Sequence, residues 1–265
     1  GLTRRRTAAA GSGVEETTPR STTLTDTSSN LLRDESRLLI AVVVLLVLLN
    51  VPYGNYVLYP FALFGTWVHE LCHALAALVV GGSVDQIEVF ADTSGLAWTR
   101  PGGRLKHAVV ASAGYTGTAI GGAILLLFRR RALAGRVGLA LLGVAMLLSS
   151  LFWVRNVFGT PAIAVLGGAL LLAGWKLPDE LSGWLYTFLA TVTSLDAVTS
   201  IQTLFGSSHM VNGKPSSTDA RTVGELLLVP WFAWASLWFV LALVCAYVGL
   251  RYALPASSSP DPKPG

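Results

Sequence analysis

The sequence predicts an all-α, polytopic membrane protein with about six to seven transmembrane helices and one small β-hairpin. Of its 265 residues, 52% are hydrophobic and only 13% are charged, whereas about a quarter of residues are charged in an average soluble domain. The apolar residues form continuous runs that approach the roughly 20 residues a helix needs to cross a bilayer. A transmembrane β-barrel would show ~10-residue alternating segments instead. We therefore expect a multi-pass integral membrane protein whose surroundings are the lipid bilayer.

The composition divides the chain into three parts. Residues 1–35 are rich in Thr, Ser, Arg and Gly and are expected to be a disordered tail, residues 36–253 form the membrane-embedded domain, and the Pro/Ser-rich residues 254–265 are expected to be disordered. The net charge of +4 comes from basic residues beside the apolar runs, as in most membrane proteins. No basic face with interleaved aromatic residues is present, so we expect no nucleic-acid partner.

Seven apolar helices are predicted inside this domain. In order they cover residues 37–51, 57–80, 107–128, 136–154, 157–175, 181–204 and 223–252. Gly81 and Gly82 are expected to end the second helix. The segment that follows, residues 83–100, partly alternates apolar with polar residues and has a turn at 92–95. This pattern predicts a small β-hairpin directly after the second helix.

The second helix carries the pentad His-Glu-Leu-Cys-His at residues 69–73. Residues four apart share one face of a helix, so His69 and His73 can bind the same metal ion. Glu70 lies beside them, where it can act as a general base on water at the metal. An HExxH pattern also occurs by chance, and these residues could form only a polar cluster that joins helices. Their cost inside a membrane favours a functional site.

A third metal ligand is expected from another part of the chain, because catalytic zinc usually has three protein ligands and one open position. Two acids return to the side of the bilayer that holds the pentad: Asp196 in the sixth helix and Asp219 before the seventh. Asp219 could instead cap a helix, and Asp196 could pair with a hydroxyl group or with Arg155. Asn156, at the end of the fourth helix, is a candidate for binding a substrate carbonyl group, or a helix cap.

The third helix has glycines at close spacing. Gly114, Gly117, Gly121 and Gly122 leave room for another helix to approach. General helix packing is one interpretation of this pattern. The more specific one is that the third helix packs directly on the pentad helix.

Several of these segments together resemble the site-2-protease class of intramembrane zinc metallopeptidases, and in particular its compact peptidase M50B-like branch. The resemblance spans residues 57–240 and excludes both tails. It is carried by Tyr59-Pro60, residues 66–76, Gly81-Gly82, residues 87–90, Gly95, Ala113-Gly114-Tyr115 and Thr218-Asp219-Ala220. No Leu-Asp-Gly motif, which the better-known site-2 proteases have, follows the third helix.

The resemblance implies zinc as the cofactor, held by His69 and His73, with Glu70 as the catalytic base and a distant aspartate as ligand. It favours Asp219, because that branch usually has Ser-Asp-Ala where this chain has Thr218-Asp219-Ala220; many members also have an aspartate at the place of Asp196. The implied function is hydrolysis of peptide bonds in membrane-protein or peptide substrates. The alternative is a non-proteolytic membrane protein that keeps a structural metal site. A transporter would predict internal repeats, and the sequence shows none.

Overall fold

The structure is a computed structural model that describes residues 22–129, 134–205 and 209–253. These residues form eight α-helices and two small antiparallel sheets of two strands each, which confirms the predicted fold class. The elements are α1 Thr22–Asn50, α2 Gly54–Val79, β1 Ser83–Val89, β2 Gly95–Arg100, α3 Arg104–Phe128, α4 Ala134–Phe152, α5 Gly159–Lys176, α6 Asp179–Thr199, β3 His209–Val211, β4 Lys214–Ser216, α7 Asp219–Leu227 and α8 Trp231–Ala253.

Five of the described helices are long and apolar enough to cross a membrane: α2, α3, α4, α5 and α8. The apolar part of α1 is shorter, Ser36–Asn50. Helix α6 is less apolar because it contains several hydroxyl residues. Three of them, Thr187, Thr191 and Thr193, are buried in the protein interior. Thr191 and Thr193 donate hydrogen bonds to carbonyl groups one turn earlier, so their hydroxyl groups are satisfied away from water. Because five of the described helices are long and apolar enough to cross a membrane, the chain is a multi-pass integral membrane protein.

Helix α1 begins at Thr22, inside the segment that was expected to be disordered. Residues 22–35 continue the same helix that becomes apolar further along, so the boundary at residue 35 does not mark the start of secondary structure. Residues 1–21 of the predicted tail and residues 254–265 of the C-terminal tail lie outside the described residues.

The end of α2 is formed as the sequence predicts. The helix ends at Val79, and Gly81 has a φ of 78°, a left-handed conformation that favours glycine. The backbone N–H groups of Gly81 and Gly82 donate to Leu78 and Ala77, which satisfies carbonyl groups at the helix end. Three residues, 80–82, connect the helix to β1, so the hairpin follows the pentad helix closely.

The last predicted helix, residues 223–252, is wrong as a single element. It is two helices, α7 and α8, that are separated at residues 228–230. Leu228 has a φ of 59°, and Val229 donates to the Gly224 carbonyl at 3.3 Å. Pro230 has no N–H group and disfavours a helical conformation in the residue before it. The predicted sixth helix is also shorter, since α6 ends at Thr199 and a 3-10 helix, Ser200–Phe205, follows.

The pentad helix lies where two apolar clusters meet. One cluster joins α2 and β1 to α4, α5 and α6, with Trp67 and Ile87 among its buried residues. The other joins α3 and α6 to α7 and α8, with Val223 and Trp238 buried in it. The candidate site residues of α2, His69, Glu70 and His73, therefore lie at the boundary between these clusters, on the side of α3 and α7.

Candidate metal centre

Helix α2 presents His69, Glu70 and His73 toward the interior of the protein. Glu70 is 6% exposed and His73 is 8% exposed, while His69 is partly buried. The His69 ring meets the Tyr115 ring of α3 edge to face, with 4.7 Å between the ring centres. The two imidazoles lie on one face of the helix, as their four-residue spacing predicts.

Three ligand atoms converge between α2 and α7. The Nε2 atoms of His69 and His73 are 3.1 Å apart. One carboxylate oxygen of Asp219, Oδ2, lies 3.2 Å from the His69 Nε2 and 3.3 Å from the His73 Nε2. Among the described residues these three side chains form a possible metal site.

A hydrogen bond of the second ring nitrogen of His73, Nδ1, determines which ring atom faces this centre. Its Nδ1 lies 2.7 Å from the backbone carbonyl oxygen of Val110 in α3. Because a carbonyl group can only accept, Nδ1 carries the proton and donates it. The Nε2 atom is therefore the one that faces the centre, where it can bind a metal ion in its unprotonated form. Metal-binding histidines have this arrangement, in which an outer hydrogen bond orients the ring.

Helix α7 positions Asp219 at its first residue. Thr218 caps the helix, because its side chain accepts from the Arg221 backbone N–H, so Asp219 is free to point at the imidazoles. At the other end, the Arg104 side chain donates to the carbonyl groups of Leu226 and Glu225. Burial raises the pKa of the Asp219 carboxyl, but the His73 and His69 imidazoles outweigh it, and the net pKa is below the usual range. The carboxyl is therefore ionised and ready to bind a cation.

Gly114 allows α3 to pass beside the centre. A Cβ atom at this position would lie 2.3 Å from the His69 Nε2 and 2.4 Å from the His73 Nε2, far inside contact distance. A Cβ atom at Gly117 would likewise lie 2.6 Å from the Sγ atom of Cys72. The interpretation that the third helix packs directly on the pentad helix is confirmed. A bound metal ion would fit here, with the two imidazole nitrogens and the Asp219 carboxylate oxygen as ligands and with space beside Gly114.

The Glu70 carboxyl lies beside the centre and against the first hairpin. A Cβ atom at Gly95 would be 2.7 Å from the Glu70 Oε1, so β2 begins directly on this side chain. The Ala97 backbone N–H also faces the carboxyl. A cavity adjoins all of them and is lined by His69, Glu70, His73 and Asp219 together with β2 and Ser216-Ser217. Glu70 is thus placed beside the candidate metal ligands without being one of them.

The edge of β2 that faces this cavity has backbone groups that do not pair with β1. Ile87 of β1 donates to Trp153 and accepts from Arg155, so both of its backbone groups point away from β2. Its partner across the sheet is Ala97. In an antiparallel pair, opposite residues either bond each other or both point outward. The N–H and C=O groups of Ala97 therefore point to the free edge, toward Glu70 and the cavity.

Two of the sequence candidates lie away from the converging ligands. Asp196 is not part of the three-residue group; its Oδ2 instead approaches Gly65, 3.0 Å from where a Cβ would be. Ser200 hydrogen-bonds its carboxyl, as the hydroxyl alternative predicts. Asn156 does not line the cavity. Its side-chain amide donates to the Val89 carbonyl at 2.7 Å and accepts from the Val89 N–H at 3.2 Å, so it holds the end of β1.

A second hairpin, β3–β4, contributes to the site, and the sequence reasoning missed it. Its turn has Asn212-Gly213, a sequence typical of two-residue hairpin turns, so a signal was present. Asn212 donates from its backbone N–H to the Ser94 hydroxyl at 3.0 Å, which joins the tips of the two hairpins. Ser216 and Ser217, at the other end, line the cavity. The role of the Val110 carbonyl has no side-chain signal and could not be found from the sequence.

Comparison with known proteins gives one match. The model of a family described as Peptidase M50B-like matches residues 38–249, which is most of the chain. Neither a curated protein nor a solved structure matches.

Proposed function

We propose, because this chain belongs to the Peptidase M50B-like family, that it is a zinc-dependent endopeptidase that cleaves peptide bonds of membrane-protein substrates. The observation that carries the proposal is the convergence of His69, His73 and Asp219 beside the buried Glu70. Three protein ligands with an open cavity are typical of catalytic zinc, whereas structural zinc usually has four.

In this proposal His69, His73 and Asp219 hold the zinc ion. When bound, zinc supplies Lewis acidity that activates water and polarises a substrate carbonyl group. Glu70 accepts a proton from the attacking water and returns it to the leaving amine. Val110 keeps the His73 ring in the required tautomer. The buried setting limits access of bulk water to these groups.

The free edge of β2 is the proposed binding place for the substrate backbone. A membrane-spanning substrate is helical and must unwind before one of its peptide bonds can be attacked. The outward C=O group of Ala97 offers a hydrogen bond to an extended segment. Its N–H group, which donates to the Glu70 carboxyl, would exchange that partner for the substrate, and the segment would add to the sheet as a further strand. Because Ala97 lies beside Glu70, this strand would pass close to the proposed base.

Replacing Ala97 by Pro tests this binding mode. Proline removes the outward N–H but leaves the ladder between β1 and β2 intact, because Ala97 does not bond Ile87. The loss of one hydrogen bond of about 1 kcal/mol is expected to raise KM roughly three- to tenfold. The matched control is Ala97→Val, which keeps the N–H group and suits a strand. An unchanged KM in the proline variant would contradict strand addition at this edge.

Removing the metal tests the activity itself. The purified protein in bicelles, incubated with a mixture of synthetic single-span peptides, is expected to produce cleavage products that mass spectrometry identifies. Treatment with a zinc chelator should stop cleavage, and added zinc should restore it. Cleavage that persists after complete metal removal would refute a zinc peptidase. A zinc-loaded, folded protein that cleaves no peptide would favour the alternative of a structural metal site.

A further inference from the structure

Asp196 is an acidic residue inside the protein that the proposed reaction does not use. Its Oδ2 reaches helix α2 at Gly65, which has no side chain to exclude it. Gly65 precedes His69 by one helical turn, about 6 Å along α2. Asp196 therefore lies about one helical turn from the candidate metal centre, at a distance suited to another part of the same substrate.

Two cavities meet at Asp196. One is an apolar groove between α1, α2 and α6, lined by Leu45, Leu49, Leu58, Phe61, Val192 and Leu195. The other is a more polar chamber that reaches His69, Glu70 and Tyr115. Ala62, Thr93 and Asp196 line both. A chain segment in the apolar groove would therefore pass the Asp196 carboxyl before it reached the metal centre.

The carboxyl is poorly compensated where it lies. Ser200 supplies a hydrogen bond and the His69 imidazole lies near enough to interact with the carboxyl electrostatically, but no ion pair joins Asp196 to any lysine or arginine in residues 36–129, 135–200 or 210–252. An acidic group that borders an apolar groove is costly unless a donor or a cation accompanies it. A substrate that brings a donor to this point would remove part of that cost, while an apolar side chain would not.

We propose that Asp196 is a specificity-determining residue that selects substrates with a basic or other hydrogen-bond-donating side chain in an otherwise apolar membrane-spanning segment. An extended strand advances about 3.3 Å per residue, so the 6 Å offset places that side chain about two residues from the cleaved bond. This inference rests on the proposed peptidase function, because it assigns a substrate preference to the same site.

Binding to an inactive enzyme tests the selection separately from cleavage. In a Glu70→Gln background, fluorescent single-span peptides of leucine and alanine would carry Lys, Gln, Leu or Glu at one central position that is moved along the peptide. At the best position we expect the Lys peptide to bind at least about tenfold more tightly than the Leu peptide, and the Glu peptide to bind most weakly. Adding Asp196→Leu should remove the preference for Lys, and Asp196→Asn should reduce it while keeping Gln bound.

The matched control is Glu180→Gln, which changes an exposed acid near the start of the same helix and should leave the preference unchanged. Circular dichroism reports whether each Asp196 variant is folded, and zinc content reports whether its metal centre is intact. Equal binding of Lys and Leu peptides, or an unchanged preference in both Asp196 variants, would overturn the proposal, and so would loss of zinc from a folded Asp196→Asn protein. Selective binding without any cleavage by the Glu70 enzyme would refute the proposed peptidase and leave the selection intact.

Discussion

Replacing Glu70 by Gln is expected to lower kcat/KM for peptide cleavage by about 10²- to 10⁴-fold, the usual contribution of general acid–base catalysis. Glutamine has the same shape as glutamate and can still accept a hydrogen bond from the Ala97 N–H. It cannot accept a proton from water at neutral pH. The candidate metal ligands His69, His73 and Asp219 are untouched, so zinc should stay bound. The measurement is the cleavage rate of a single-span peptide together with the zinc content of the same sample.

The control for this variant is Glu225→Gln, a change in an exposed acid of α7 that should keep full activity. A Glu70→Gln protein that cleaves within about threefold of the native rate would show that Glu70 is not the base. Loss of zinc together with activity, in a folded protein, would instead assign Glu70 to metal binding.

Replacing Asp219 by Ala is expected to abolish cleavage by releasing the metal. Among the described residues, the carboxylate is one of three converging candidate ligands, and its removal leaves the two imidazoles to hold zinc. The loss of affinity should exceed the 10- to 100-fold that removal of an outer hydrogen-bond partner costs. Competition with a chromophoric chelator measures this affinity. Asp196→Ala is the matched acid-to-alanine control and should bind zinc within a few-fold of the native protein.

The local parts of the site could be predicted from the sequence because short-range geometry determines them. The four-residue spacing of His69 and His73 places both rings on one helix face, and Gly81-Gly82 ends that helix immediately before the hairpin. The glycines of α3 likewise favoured a close neighbour, and Gly114 and Gly117 lie against α2. Each of these predictions depends on residues that are adjacent along one element, and the structure confirms them.

The choice between Asp219 and Asp196 could not be made from residue spacing, because it depends on how distant helices pack. The predicted topology places both acids on the same side of the bilayer and so does not choose between them, whereas in the structure the break at Leu228–Pro230 makes α7 a separate short helix that begins at Asp219. Asn156 shows the same limit: its position near the hairpin was foreseeable, but its pairing with the Val89 backbone was not.

The central claim is that His69, His73 and Asp219 hold one zinc ion. Metal analysis of purified native, Asp219→Ala and Asp196→Ala proteins, all shown to be folded by circular dichroism, tests it most directly. The account predicts about one zinc per chain in the native and Asp196→Ala proteins and a strong loss in Asp219→Ala. Equimolar zinc in Asp219→Ala, with loss from Asp196→Ala, would contradict it.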